Sequence, residues 1–300
     1  MSRAVIFPGQ GSQAVGMEAE LLEAGPTTRD LWDRIDAVLE RPLTKLIAGG
    51  PKEALDDTEN AQPALFAIDL MYWRAVEERG WSADYFAGHS LGELAACAAA
   101  GVFSFEDGLK IVSRRAAFMA EAAVRRPGGM LAVLGLEPEP VGRVCRETGV
   151  ELANLNSPGQ IVVAGDFSGL DAAESVFQEM GAKRVVRLAV SGPFHSSVMA
   201  EAAESFSNFL GPLDFNDPEV PIVSNVTARP VATGDEVKAN LVRQIESPVR
   251  WVESVVSLID LGVTEFVEAG PGRFLSGLVK RISRAAALRH AGEVVFDGKC

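Results

Sequence analysis

The chain has 300 residues, 47% of them hydrophobic and 23% charged, which is enough to bury a sizeable core in one large domain or two smaller ones. Lysine and arginine number 28 against 41 aspartate and glutamate, a formal net charge of −13 that argues against nucleic acid and anionic lipid as partners. Three histidines and the cysteines Cys97, Cys145 and Cys300 share no metal-ligand spacing, so neither a zinc site nor a disulfide framework is expected.

Residues 3–7 read as a first strand, entered directly from Met1 without a signal-peptide core. With reduced thiols and no apolar run of membrane length, this predicts a cytoplasmic location. The turn Pro8-Gly9-Gln10-Gly11-Ser12 follows, then helices over 13–23 and 27–39 and a long amphipathic helix over 61–79. Residues 83–88 form a second strand, and the small-sided run 91–100 is a helix suited to close burial against a sheet, ended by Gly101. A further helix spans 104–124 with Ser104 as N-cap. From 126 to 192 the order is strand (130–135), helix (138–148), strand (150–155), strand (160–165), helix (168–181), strand (184–189). That βαββαβ order matches the ferredoxin-like motif, with Asn156-Ser157-Pro158-Gly159 as the central hairpin turn. Helices at 195–210, 234–246 and 250–262 and a strand at 264–268 return the chain to the main body and complete its sheet. The expected organisation is thus an α/β catalytic domain over 1–125 and 193–300, carrying a small ferredoxin-like domain over 126–192.

Chemistry concentrates at Gly88-His89-Ser90-Leu91-Gly92. A serine between two glycines, after a strand and before a helix, reads as a nucleophile elbow whose tip presents Ser90 and turns the Leu91 amide toward developing negative charge. The Gly-rich turn at 8–11 is either a second source of oxyanion donors or an ordinary tight turn; it lacks the lysine of a phosphate loop. His195, in Gly192-Pro193-Phe194-His195, is the best base available, placed where a turn enters a helix whose N-terminus disfavours the imidazolium. The alternative for it is a capping or buried structural histidine. His89 adjoins Ser90 but points to the opposite face of an extended strand, and His290 reads as solvated surface. Arg115 has Ile111, Val112, Phe118 and Met119 as its helical neighbours, so its guanidinium needs an anion, either an internal carboxylate or one on a substrate. No Asp or Glu sits where the hydrolase order Ser, acid, His would put it, which leaves an amide or a backbone carbonyl to orient the base.

Together these segments resemble the malonyl-CoA:acyl carrier protein transacylase family. The resemblance rests on Phe7-Pro8-Gly9-Gln10-Gly11-Ser12-Gln13, Gln62-Pro63-Ala64-Leu65, Gly88 to Glu93, Arg115 with Phe118-Met119, and Asn154-Leu155-Asn156-Ser157-Pro158-Gly159-Gln160. It continues in Gly192 to Ser196, Val242-Arg243-Gln244 with Ser247-Pro248-Val249, and Glu268-Ala269-Gly270-Pro271-Gly272. It implies an α/β-hydrolase-like large domain with an inserted ferredoxin-like domain and the site between them. It makes Ser90 the nucleophile, His195 its base, the amides of Gln10 and Leu91 the oxyanion hole, and Arg115 the partner of the malonyl carboxylate. By the same resemblance Gln244 matches the family residue whose main-chain carbonyl orients the histidine, while Gln62, Asn154 and Gln160 match cleft positions. Phe194 resembles the malonyl-selective form, in which a bulky ring leaves little room for an α-methyl group. The implied reaction is ping-pong transfer from malonyl-CoA to the phosphopantetheine thiol of acyl carrier protein, with no metal or bound cofactor. An acidic carrier would be met by one of two basic clusters, Lys183, Arg184 and Arg187 or Lys280, Arg281 and Arg284. A serine hydrolase or thioesterase is the alternative; it would be expected to have an acidic third member and no need for Arg115.

Overall fold

The computed structural model describes residues 2–296; Cys300 lies outside them. Its strands in chain order are β1 (Ser2–Phe7), β2 (Tyr85–Gly88), β3 (Gly129–Leu134), β4 (Glu151–Ser157) and β5 (Gln160–Gly165), then β6 (Arg184–Arg187), β7 (Ile222–Val223), β8 (Pro230–Val231), β9 (Val263–Glu268) and β10 (Ala287–His290). They build two sheets in a mixed α/β fold, one ordered β10-β9-β1-β2-β7-β8 and the other β4-β5-β3-β6. The larger sheet is parallel except for β7 with β8. The smaller is antiparallel throughout.

Parallel strands covered on both faces must be apolar on both faces, and β1 is: Ala4, Val5, Ile6 and Phe7 are all fully buried. Alternate residues feed different cores. Val5 and Phe7 join Phe86 and the helices Thr58–Glu77, Leu91–Ala99 and Phe105–Arg125 on one side. Ala4 and Ile6 join Ala87, Trp251, Leu258 and Leu278 on the other. A third core, with Leu131, Val163 and Phe177, lies between the small sheet and the helices Pro138–Thr148 and Phe167–Glu179. The small sheet is tied to the segment between helices Gly234–Gln244 and Trp251–Asp260, where Val249 bridges Asn154 on β4, with Leu155 N donating to Val249 O and Val249 N to Ala153 O, each at 2.9 Å.

Several expectations need correcting. The helix over 13–23 is only Ala19–Leu22, because Gly11 and Gly16 adopt φ values of 105° and 81° and the Gln13 amide is drawn away to Asp56. Short helices Leu43–Gly49 and Lys52–Asp56, strands β7, β8 and β10 and helix Ala291–Phe296 were not anticipated. The sheet ends not with β9 but with β10, which pairs parallel to it. The helix expected over 195–210 begins at Ala200 after a 3₁₀ turn, Ser197–Met199, so His195 stands in the loop before it with φ 58°. His290 is not solvated surface: its Nε2 bonds to Gly270 O at 2.8 Å and its ring meets Tyr72 edge-on. Among the described residues no helix is long and apolar enough to cross a membrane.

Candidate active site

The elbow forms because its glycines permit contacts that no side chain would. A Cβ on Gly88 would fall 1.9 Å from Gly92 C, and one on Gly92 would fall 2.0 Å from Phe7 O, so β1, β2 and helix Leu91–Ala99 meet backbone to backbone. Ser90 takes up the reversal at φ 53° and ψ −107°, a strained conformation for a residue with a side chain. Asn225 clamps it there. Its Oδ1 accepts from Ser90 N at 2.7 Å and its Nδ2 donates to Gly88 O at 2.6 Å.

Ser90 Oγ lies 2.7 Å from His195 Nε2, and His195 Nδ1 lies 2.8 Å from the main-chain oxygen of Gln244, the last residue of helix Gly234–Gln244. A carbonyl only accepts, so the Nδ1 proton is fixed on that side and the Nε2 lone pair faces the serine hydroxyl. Burial, and second the Arg115 charge, push the His195 pKa down to about 3. The helix N-terminus expected to hold this imidazole neutral is not beside it; burial and a neighbouring cation do the work.

Arg115, on helix Phe105–Arg125, is 1% exposed. Its NH1 donates to Gln62 Oε1 at 2.6 Å, its NH2 to Gln244 Oε1 at 2.8 Å and more weakly to Ser90 Oγ at 3.3 Å. Its Nε is buried without a hydrogen-bond partner among the described residues. Of the two anions weighed for it, an internal carboxylate makes no ion pair: the guanidinium rests on two neutral amides, and Glu93 is the carboxylate that acts on it through space. Burial lowers its pKa to about 10, still fully charged at neutral pH.

Gln62 Nε2 continues the network to Thr58 Oγ1 at 2.9 Å, which donates to Gln10 Oε1 at 3.0 Å. The turn bearing Gln10 is seated on His89, since a Cβ on Gly9 would fall 2.4 Å from His89 O. Among the described residues neither the Gln10 nor the Leu91 amide has a hydrogen-bond partner. Phe194, 5% exposed, joins the main core beside His195. Asn154 lies on β4, where Val249 bridges it. Gln160 stands at the start of β5, where its side chain accepts from Arg281. His89 turns away from the serine, bonds to Asn156 Oδ1 at 2.8 Å and meets Trp251 and Phe274 edge-on.

Sequence reasoning missed three neighbours. Asn225 follows a two-residue strand and carries no pattern signal. Asn156 was read only as part of a turn. Glu93, 3% exposed, has its carboxylate on the Gln244 side-chain amide and on Asn225 N at 3.2 Å. Burial, opposed by these hydrogen bonds, pushes its pKa up to about 7. Among the described residues no three His, Cys, Asp or Glu are grouped to hold a metal ion.

A serine on a strained strand-to-helix turn, a histidine oriented by a carbonyl, two unpaired amides and a buried cation define a nucleophilic acyl-transfer site. The comparisons agree: the acyl transferase domain model matches residues 5–291. A Bacillus subtilis malonyl CoA-acyl carrier protein transacylase is 46% identical over 286 residues, covering 94% of this chain and 90% of the relative. A Vibrio cholerae acyl carrier protein S-malonyltransferase superposes with a TM-score of 0.93 at 38% identity, covering 97% and 96% of the two chains. A malonyl-transacylase solved in complex with a type II polyketide synthase acyl-carrier protein superposes at 0.95 with 36% identity, covering 99% and 100%. The chain belongs to the malonyl-CoA:acyl carrier protein transacylase family.

Proposed function

We propose that Ser90 takes a malonyl group from malonyl-CoA and passes it to the phosphopantetheine thiol of an acyl carrier protein, in two half-reactions that use one site. Ser90 Oγ attacks the thioester carbonyl as its proton moves to His195 Nε2, and the amides of Gln10 and Leu91 receive the oxyanion. The C–S bond breaks, CoA leaves with the proton from His195, and malonyl remains as an ester on Ser90. The carrier thiol gives its proton to His195, attacks the ester carbonyl and returns Ser90 to its hydroxyl form. Nucleophile, base, oxyanion donors and anion site are all groups of the chain, so the chemistry asks for no metal or bound cofactor.

The observation that carries the choice of substrate is Arg115: a fully buried guanidinium, held by neutral amides, 3.3 Å from the serine oxygen and with a free Nε–H. A carboxylate at the far end of a short diacid thioester would complete it through two parallel hydrogen bonds. Such a carboxylate also cancels the charge that depresses His195, so binding the substrate makes the base stronger at the moment it must accept a proton. A hydrolase acting on simple acyl thioesters has no use for this cation. The Phe194 ring beside His195 supports selection of malonyl over its α-methyl homologue.

We read the scaffold as an α/β-hydrolase-like domain over 1–125 and 193–300 with a ferredoxin-like insertion over 126–192, supported by the antiparallel order β4-β5-β3-β6 within a βαββαβ segment. A reducing, cytoplasmic setting fits the free thiols of Cys97 and Cys145. For the carrier, the cluster Lys280, Arg281 and Arg284 is favoured over Lys183, Arg184 and Arg187, because Arg187 is already paired with Asp171 and Glu174. Incubation with malonyl-CoA should add a malonyl mass to the Ser90 peptide, and added holo-carrier protein should remove it while becoming malonylated. No adduct, or an adduct lost only to water, would refute the reading.

A further inference from the structure

The reaction as derived leaves one buried ionisable group beside the site unused: Glu93, in the first turn of helix Leu91–Ala99. Its place is defined by the side chain of Gln244, which stands between it and Arg115. A primary amide presents an oxygen on one side and an NH₂ on the other, and its neighbours decide which way round it sits. Here a guanidinium, which only donates, faces one side, and Glu93 Oε2, which already accepts from Asn225 N, faces the other. Only one orientation satisfies both. Gln244 Nε2 meets the Glu93 carboxylate and Ser90 O, the latter at 3.0 Å, and Gln244 Oε1 receives Arg115 NH2 at 2.8 Å. The second amide on the guanidinium is fixed in the same manner, with Gln62 Nε2 held by Thr58 Oγ1 and Gln62 Oε1 left for Arg115 NH1.

We infer that Glu93 is a positioning residue that orients the Gln244 amide, thereby holds the Arg115 guanidinium beside Ser90, and so sets the preference for acyl groups with a distal carboxylate. The inference rests on the reading of Arg115 as the carboxylate partner. Glu93 also supplies the opposing charge that helps keep the buried guanidinium ionised.

The nucleophile has its own anchors: Glu93 reaches the elbow only through the main-chain N of Asn225, at 3.2 Å, and through Gln244 Nε2 on Ser90 O, at 3.0 Å. The elbow is clamped by the Asn225 side chain, and His195 is oriented by the main-chain oxygen of Gln244, which the helix Gly234–Gln244 fixes whatever its side chain does. Loss of Glu93 should therefore separate two substrates that share the serine chemistry and differ in the distal carboxylate. A merely structural role would not.

The test compares kcat and KM for loading of Ser90 from malonyl-CoA and from acetyl-CoA in Glu93→Ala, Glu93→Gln and Arg115→Ala, with thermal unfolding of each. Glu93→Ala should lower malonyl kcat/KM about 50-fold, chiefly through KM, and leave acetyl within about threefold. Glu93→Gln keeps an oxygen that accepts from Gln244 and should recover most of this, leaving about a fivefold malonyl deficit and acetyl unchanged. Equal losses for both substrates, or no loss for either, would overturn the inference. If Glu93→Ala fails to fold, Glu93→Gln decides by the same criterion. Arg115→Ala separates the two levels: if it is selective against malonyl and the Glu93 variants are not, only the role of Glu93 falls. If it is not selective, the carboxylate reading falls and takes this inference with it.

Discussion

His195, the proposed acceptor of the Ser90 proton, is surrounded by features that resist a positive charge: it is buried, and Arg115 is close enough to act on it. A base works in its neutral form, which prevails above its pKa; with that pKa lowered to about 3, the imidazole is neutral at neutral and mildly acidic pH. Loading from acetyl-CoA, which does not recruit Arg115, should therefore show no acid limb between pH 6 and 7, and kcat/KM should stay level downward until the protein itself unfolds. A stopped-flow pH profile checks this, and an inflection near the ordinary histidine value of about 6.5 would contradict it. Residues of this kind were legible in the sequence because unusual side chains stand in unusual local settings: Ser90 between glycines, Arg115 among apolar neighbours. Asn225 and Glu93 were not legible. They act through hydrogen bonds to partners 132 to 151 positions away, and only the folded sheet creates those contacts.

At the level of elements, helix Thr58–Glu77 is buried on every face from Ala61 to Trp73, so the amphipathic helix expected over 61–79 is a core helix, and a continuous apolar run rather than a one-sided period made it readable. It also carries an unsupported carboxyl group. Asp69 is fully buried, neither carboxyl oxygen has a hydrogen-bond partner among the described residues, and Gly270 packs so closely that a Cβ there would fall 2.4 Å from Asp69 Oδ1. Burial, and second the nearby Glu268, raise its pKa well above the ordinary value. A carboxyl whose folded pKa is raised binds its proton more tightly folded than unfolded, so its stability contribution is complete below the unfolded value and is lost as pH rises toward the folded one. Asp69→Asn keeps the shape and removes the titration. Its Tm should exceed that of the parent by about 2–4 °C at pH 8, with the gap closing toward pH 4. A gap independent of pH, or a lower Tm for the variant, would show that the carboxyl has a partner after all. The elements that escaped reading are those whose pattern is too short to have a period, such as β7 and β8 at two residues each, or whose register only a neighbour supplies, such as β10 along β9.

For the whole molecule, the central question is how a chain of net charge −13 would receive the acidic carrier protein that its basic clusters were proposed to meet. The answer must lie in distribution, because charges separated by more than about 8 Å of physiological salt solution scarcely feel one another. Helix Phe274–Ile282 begins at Phe274, whose exposed ring meets His89, the residue before the nucleophile, and ends in Lys280 and Arg281, with Arg284 just beyond. Arg281 also reaches across to Gln160 on β5, so the cluster sits where the large sheet's helix layer meets the small sheet. Among the described residues none of the three basic side chains is in an ion pair with a carboxylate of the chain, whereas Arg187 in the competing cluster is held by two. A carrier docked on this helix would have its prosthetic arm aimed along the helix toward the elbow. Reversing all three charges with Lys280→Glu, Arg281→Glu and Arg284→Glu should raise the KM for carrier protein about tenfold at low ionic strength and flatten its salt dependence. Loading of Ser90 from malonyl-CoA, measured as the burst before carrier is added, should change far less, because Arg115 is buried beside Ser90 and none of the three reversed side chains touches either. If the reversal leaves carrier KM and its salt dependence untouched, the docking face is elsewhere, and the same measurement on Lys183→Glu with Arg184→Glu would locate it or exclude both clusters.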